Sequence, residues 1–278
     1  MASRRLLGAV VIGGALASSA GCVDNTVSIF IRQVQAPTAS GTTCTLSSDP
    51  TGLTVPVGRF DVAVANHYTI APLIANQMIS RANADQLRVE TTFFSVEGFV
   101  VELHQDSPDG PLVGPAFTVY QNTIVPPGAS AGTPGYAYTQ LEVIPTQIGL
   151  QLKNTVCALD MRGVTSDCPV PAIQSNDRSI VAKLTAFGNS LGQHSIESAP
   201  FYYPIHVCCG CLLRFPTDAD APDMTHPGPD CLLGTATIDA AGCNPGQDFG
   251  LDCRLCSNSN PLCQPRGFSV SGTGTCPR

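Results

Sequence analysis

The chain has 278 residues, of which 43% are hydrophobic, only 13% are charged and 13 are cysteines, with a formal net charge of −7. Its only two lysines are Lys153 and Lys183, and its arginines are dispersed. No basic patch exists to carry nucleic-acid binding, and the apolar content is too high for a disordered chain. Charge this sparse, against roughly 25% in ordinary globular domains, together with 26 glycines and 23 prolines, describes a folded, turn-rich protein. It is long enough for one large domain or two small ones.

The N-terminal segment has two positive charges, Arg4 and Arg5, then an apolar run of twelve residues, 6–17, too short to span a bilayer. Ser18-Ser19-Ala20-Gly21 and Cys22 follow. Over residues 1–22 this pattern resembles the signal of bacterial prolipoproteins, with Ala20-Gly21-Cys22 as the small-residue box; Ser19 stands where that class most often has Leu. The resemblance implies cleavage before Cys22 and attachment of diacylglycerol to its thiol. Val23, which is not acidic, implies the outer membrane as destination. The alternative is ordinary signal cleavage after Ala20, giving a secreted protein. Loss of 1–21 would leave 12 basic against 21 acidic side chains, a net charge of −9.

Thirteen cysteines are an odd number, and lipid on Cys22 would leave twelve to pair. Export makes disulfides their expected fate. Cys44, Cys157 and Cys168 are scattered, whereas Cys208, Cys209, Cys211, Cys231, Cys243, Cys253, Cys256, Cys263 and Cys276 crowd the last 71 residues. Such density suits a segment unable to bury enough apolar surface to fold unaided. Cys157–Cys168 is the one pairing the sequence singles out, because ten intervening residues with Gly163 inside suit a closed loop. The alternative for Cys208-x-x-Cys211 and Cys253-x-x-Cys256 is a four-thiolate zinc site; the interrupted spacing and oxidising compartment favour disulfides, so no cofactor is expected. No βαβ pattern surrounds either pair to suggest a thioredoxin-like role.

After Cys22, Val27-Ser28-Ile29-Phe30-Ile31 alternates as a strand does. Further strands are expected at 53–65 (Phe60, Val62 and Val64 on one face), 87–104 with a bulge at Gly98, 116–125, 136–144, 179–187 and 196–207. Turn chemistry separates them at Asp106-Ser-Pro-Asp109-Gly110, Pro126-Pro127-Gly128 and Gly188-Asn189. Two segments have helical spacing: 145–156 through Ile148, Leu152 and Val156, and 70–84 through Ile70, Ile74 and Met78, interrupted by Pro72. The class expected is mostly β, an antiparallel β-sandwich of the immunoglobulin-like kind over 27–215 after a short tether at 22–26. A Gly/Pro/Cys-rich segment stapled by disulfides follows over 216–278, either separate or folded back as a cap.

Gly188-Asn189-Ser190-Leu191-Gly192 matches the pattern of a serine nucleophile elbow, with Asp218 and His226 downstream in hydrolase order. The same five residues also make an ordinary hairpin turn. His67, His104, His194, His206 and His226 lack metal-ligand spacing, although His206 beside Cys208 leaves a mixed His/Cys site open. The acidic stretch 218–223 lacks the spacing of a calcium loop. Tyr136 and Tyr138 share a strand face and could stack on a sugar, whereas Tyr202 and Tyr203 face opposite ways. The expectation is a lipid-anchored envelope protein with a structural or binding role and no catalysis. The alternatives are a glycan- or peptide-binding module and, far behind, a hydrolase at Ser190. In style the chain resembles the Gly/Pro/Cys-rich β lipoproteins of myxobacteria, which implies no activity.

Overall fold

The structure is a computed structural model that describes residues 28–40, 43–81, 89–160, 172–215, 231, 243–256 and 260–263. Cys22, Cys168, Cys276, Asp218, His226 and the acidic stretch 218–223 lie outside the described residues.

The described chain is mostly β, and its elements follow the apolar alternation. Strand β1 (Ile29–Val34) is followed by a small exposed hairpin of β2 (Thr38–Ser40) and β3 (Thr43–Thr45). Of the expected strand at 53–65 only β4 (Gly58–Asp61) forms. The helical spacing at 70–84 does not produce a helix over its described part, 70–81: β5 (Tyr68–Ile70) and β6 (Pro72–Asn76) lie there instead. All five residues of β6 are buried, so the run is apolar on both faces and its i+4 coincidences carry no information about period. The long strand β7 (Phe94–Gln105) and β8 (Phe117–Val125) follow, with a register shift at Gly98 where a bulge was expected. The segment 136–144 divides into β9 (Gly135–Tyr138) and β10 (Leu141–Ile144).

Helix α1 (Thr146–Val156) forms where Ile148, Leu152 and Val156 recur every fourth residue, with Pro145 at its N-cap. Gly149 lies on the same buried face. Beyond α1 come β11 (Cys157–Asp160), β12 (Ala172–Ser175), β13 (Arg178–Ser190), β14 (Ser195–Glu197) and β15 (Phe201–Cys208). Two short strands, β16 (Leu213–Arg214) and β17 (Leu251–Asp252), and single 3-10 turns at Cys253–Leu255 and Pro261–Cys263 complete the described chain.

Six strands form the largest sheet, in the order β4-β15-β13-β7-β8 with β14 also on β13; a second sheet has the order β1-β6-β9. Both feed one hydrophobic core, with Ile29, Ile31 and Ile74 from the smaller sheet and Phe94, Phe99, Leu184 and Ile205 from the larger, closed by Leu152 and Val156 of α1. The pairing is not antiparallel throughout. β4 joins β15 in parallel, as β16 joins β17, because the chain returns to the sheet edge from elsewhere rather than through a hairpin. Parallel pairing is therefore a correction to the sequence expectation.

Five disulfides join described residues: Cys44–Cys243, Cys157–Cys209, Cys208–Cys211, Cys231–Cys253 and Cys256–Cys263. Cys157 is thus bound to Cys209 and not to Cys168. The sheet brings the end of β15 beside the C-terminus of α1, which a local loop argument could not see. Loop-closure entropy ranks these crosslinks. Taken alone, the bridge across 199 residues between Cys44 and Cys243 contributes about 5 kcal/mol, and the bridge between Cys208 and Cys211 about 2 kcal/mol.

The close approach of α1 to the loop before β5 gives a test. A Cβ added at Gly149 would lie 1.8 Å from the Asn66 carbonyl oxygen, a backbone atom. Gly149→Ala should therefore lower stability by about 1–3 kcal/mol, although in an exposed helix the same change would stabilise by up to about 1 kcal/mol. Thermal unfolding of the two proteins reads the sign directly.

Candidate functional site

The site begins with an acid in an apolar strand. Asp61 ends β4 beside Phe60 and Val62, and all three are fully buried. Its carboxylate accepts three backbone N–H groups: Ala63 at 3.0 Å, Gly210 at 2.7 Å and Leu212 at 2.9 Å. The last two belong to the loop that follows β15, and Gly210 takes the left-handed φ of +78° that lets the loop turn there. Burial pushes the Asp61 carboxyl above its ordinary range, against the opposing pull of those N–H groups and of the Lys153 charge. Each N–H that Asp61 accepts is one that the loop's own backbone cannot satisfy.

Held by this clamp, Cys208 and Cys211 close a disulfide. Cys208 is fully buried at the end of β15, while Cys211 is exposed in the loop. His206 lies two residues before Cys208, on the same strand face. A His206 ring nitrogen and the two sulfurs lie within 4.8 Å of one another. His206 Nε2 is also 3.6 Å from Asp177 Oδ2, and both side chains are nearly half exposed. The trio of His206, Cys208 and Cys211 has the donor atoms of a zinc site, but a metal binds thiolates and these sulfurs are bonded to each other. The adjacent Cys209 points the other way into Cys157, and its N–H donates to Ser175 Oγ at 3.2 Å.

Asp177 also lines a cleft of about 600 Å³ between α1 and the ends of β7 and β13. Gln105, Asp106, Gln151, Thr155 and Arg178 give the cleft a polar wall, with Val113 and Leu152 as its apolar part. Cleft and disulfide loop are therefore neighbours, sharing the strip that runs from Asp177 to His206.

A second, half-buried carboxylate anchors the cysteine-rich tail. Asp248 accepts from Tyr68 Oη at 2.6 Å and from the Arg59 N–H at 2.8 Å, and Tyr68 Oη is 3.3 Å from Tyr203 Oη. Burial raises the Asp248 carboxyl and keeps both tyrosine hydroxyls protonated well above the usual range. Beside it, buried Gln247 accepts from the Thr69 N–H at 3.0 Å and donates to the His67 carbonyl at 3.0 Å. Residues 243–256 are thus folded onto β4 and β5.

The other candidates fare unevenly. Ser190 ends β13, and the chain turns back through Leu191–His194 into β14, so a hairpin replaces the strand–turn–helix elbow. Ser190 is buried, and its Oγ accepts the His194 N–H at 3.2 Å. Gly188 and Asn189 are strand residues, not the turn expected there. Cys253 and Cys256 bond to different partners, Cys231 and Cys263, so the two Cys-x-x-Cys pairs do not meet in a four-thiolate site. The Tyr136 ring is covered by the Arg32 guanidinium, 5.6 Å from its centroid, and its hydroxyl accepts from Arg32 at 3.1 Å, so that face is taken. Tyr203 is buried and Tyr202 exposed, on opposite faces. Among the described residues no helix is long and apolar enough to cross a membrane. The chain matches no known family model, no curated protein and no solved structure.

Sequence reasoning passed over Asp61, yet a signal was present: one acid inside the apolar run of 53–65 must be satisfied if that run is buried. Asp61→Asn would keep two acceptances but set an amide N–H against the Leu212 N–H. The expected loss is roughly 1–3 kcal/mol, read by chemical denaturation. For Asp248 the sign with pH is definite. Its folded carboxyl binds a proton more tightly than the unfolded one, so its contribution is full below the ordinary value of 3.8 and is lost as pH rises through the raised folded value. Asp248→Asn preserves both acceptances. The stability of the wild type relative to this variant should fall as pH rises from about 4 to about 7, and a flat difference would refute the assignment.

Proposed function

We propose that this is an exported bacterial lipoprotein, held at the outer membrane by a lipid on Cys22, with a structural or binding role at the cell envelope. Its body is a β-sandwich of the immunoglobulin-like class over 27–215, departing from that class in the parallel edge strand β4, and its tail over 216–278 is a disulfide-stapled cap. The observation that carries the reading is the set of five disulfides among the described residues. A cytosolic thiol pool opposes such pairing, and an exported compartment favours it. These bonds use ten of the thirteen cysteines and leave Cys22, Cys168 and Cys276, an odd number, so one needs a fate other than pairing within the chain. Cys22, at the end of a signal-like segment, is the natural one. The polar cleft beside Asp177 supports the binding half of the role, since a concave site with convergent polar groups is the usual form of a ligand pocket. Hydrolysis at Ser190 is not part of the proposal, because a buried serine in a hairpin offers no exposed nucleophile.

Intact mass of the protein from its native membrane tests this. The expected result is a chain beginning at Cys22 with acyl mass added, whose other twelve cysteines resist alkylation until reduced. A chain beginning at Gly21 with an unmodified Cys22 would overturn the anchor.

A further inference from the structure

We infer that the Cys208–Cys211 disulfide is a thiol–disulfide exchange centre that accepts electrons from exposed dithiols of exported polypeptides. The inference goes beyond the envelope role and does not depend on the lipid anchor.

Four features of the loop, taken together, separate this bond from the other described disulfides. It spans three residues of sequence, so it adds least to the fold by loop closure. The remaining bonds span seven to 199 residues. It joins a fully buried cysteine to an exposed one, a contrast shared among the described bridges by Cys44–Cys243 but there across 199 residues, so attack is directed: an incoming thiolate reaches Cys211, and Cys208 is the leaving group. The two longest described bridges tie distant elements together: Cys157–Cys209 joins the start of β11 to the residue after β15, and Cys44–Cys243 joins the β3 hairpin to the tail. Finally, the loop is held from beneath by Asp61 through the N–H groups of Gly210 and Leu212, independently of the S–S bond, so the two sulfurs stay close after the bond opens. His206 stands beside both sulfurs, where a developing thiolate needs a polar neighbour. The cleft that shares Asp177 gives a polypeptide segment somewhere to lie.

The exchange balances without any further reagent. A thiolate of the incoming dithiol attacks Cys211 Sγ, forming a mixed disulfide, and the electron pair of the broken bond goes to Cys208 Sγ. The second thiolate of the same substrate then attacks its own sulfur in the mixed disulfide and releases Cys211. The substrate has lost two electrons and two protons and holds a new disulfide; Cys208 and Cys211 have gained them as two thiols.

Two measurements on the full oxidised chain test this. In the first, dithiothreitol is added in limiting amounts, free thiols are alkylated, and the labelled cysteines are mapped by peptide mass spectrometry. Cys208 and Cys211 should be labelled before any other pair; another bridge opening first would overturn the inference. In the second, the chain is mixed with reduced, denatured ribonuclease A as the dithiol probe. Two probe thiols should be lost for each Cys208–Cys211 bridge opened, and Cys208→Ser, which has no such bridge to open, should take none. Absence of thiol loss at equal concentrations would overturn it as well. If the variant fails to fold, the labelling order in the unaltered chain still decides.

Discussion

A single buried carboxylate joins the two halves of this molecule. Asp61 lies at the end of β4 in the sheet, and two of its three N–H donors come from the loop after β15, where the cysteine-rich part begins. A charge or a proton in so dry a place survives only with its acceptor sites filled. The loop therefore has one permitted position, and β16, the partner of β17 in the tail, starts directly after it. Everything downstream is placed relative to that position. Asp248 repeats the device on the other side, with a tyrosine hydroxyl and a backbone N–H as donors.

The tail has no apolar periodicity with which to bury itself, and its order comes from crosslinks and buried polar groups. Cys44–Cys243 brings its first described stretch to the β2–β3 hairpin, and Gln247 satisfies the exposed backbone of His67 and Thr69. A disulfide across 199 residues restrains the unfolded state more strongly than a four-residue ring does. That contrast explains how one crosslink can hold the fold while another, in the same protein, is free to serve chemistry.

The larger sheet was largely legible because its strands face the core on one side only. β13 alternates buried with half-buried residues and β8 half-buried with exposed ones, and alternation is what a sequence displays. The run from 70 has helical spacing for the opposite reason: β6 is buried on both faces, so Ile70, Ile74 and Met78 match a helix by chance. The candidate site was less legible. Cys208, Cys211 and His206 could be noticed by spacing, but Asp61, 147 residues before Cys208, could be connected to them only through the parallel pairing of β4 with β15.

By itself the sequence determined a β-rich, turn-rich chain, an α1 helix at 146–156 and the crowding of cysteines toward the C-terminus, because these depend on local periodicity and composition. Tertiary structure alone decided which cysteines meet. Cys157 found Cys209 and not the nearer Cys168, since pairing requires Cα atoms about 5–6 Å apart and only the packing of α1 against β15 supplies that distance. It also decided that Asp61 would be buried and that Ser190 would sit in a hairpin, because burial and turn direction follow from which strands become neighbours.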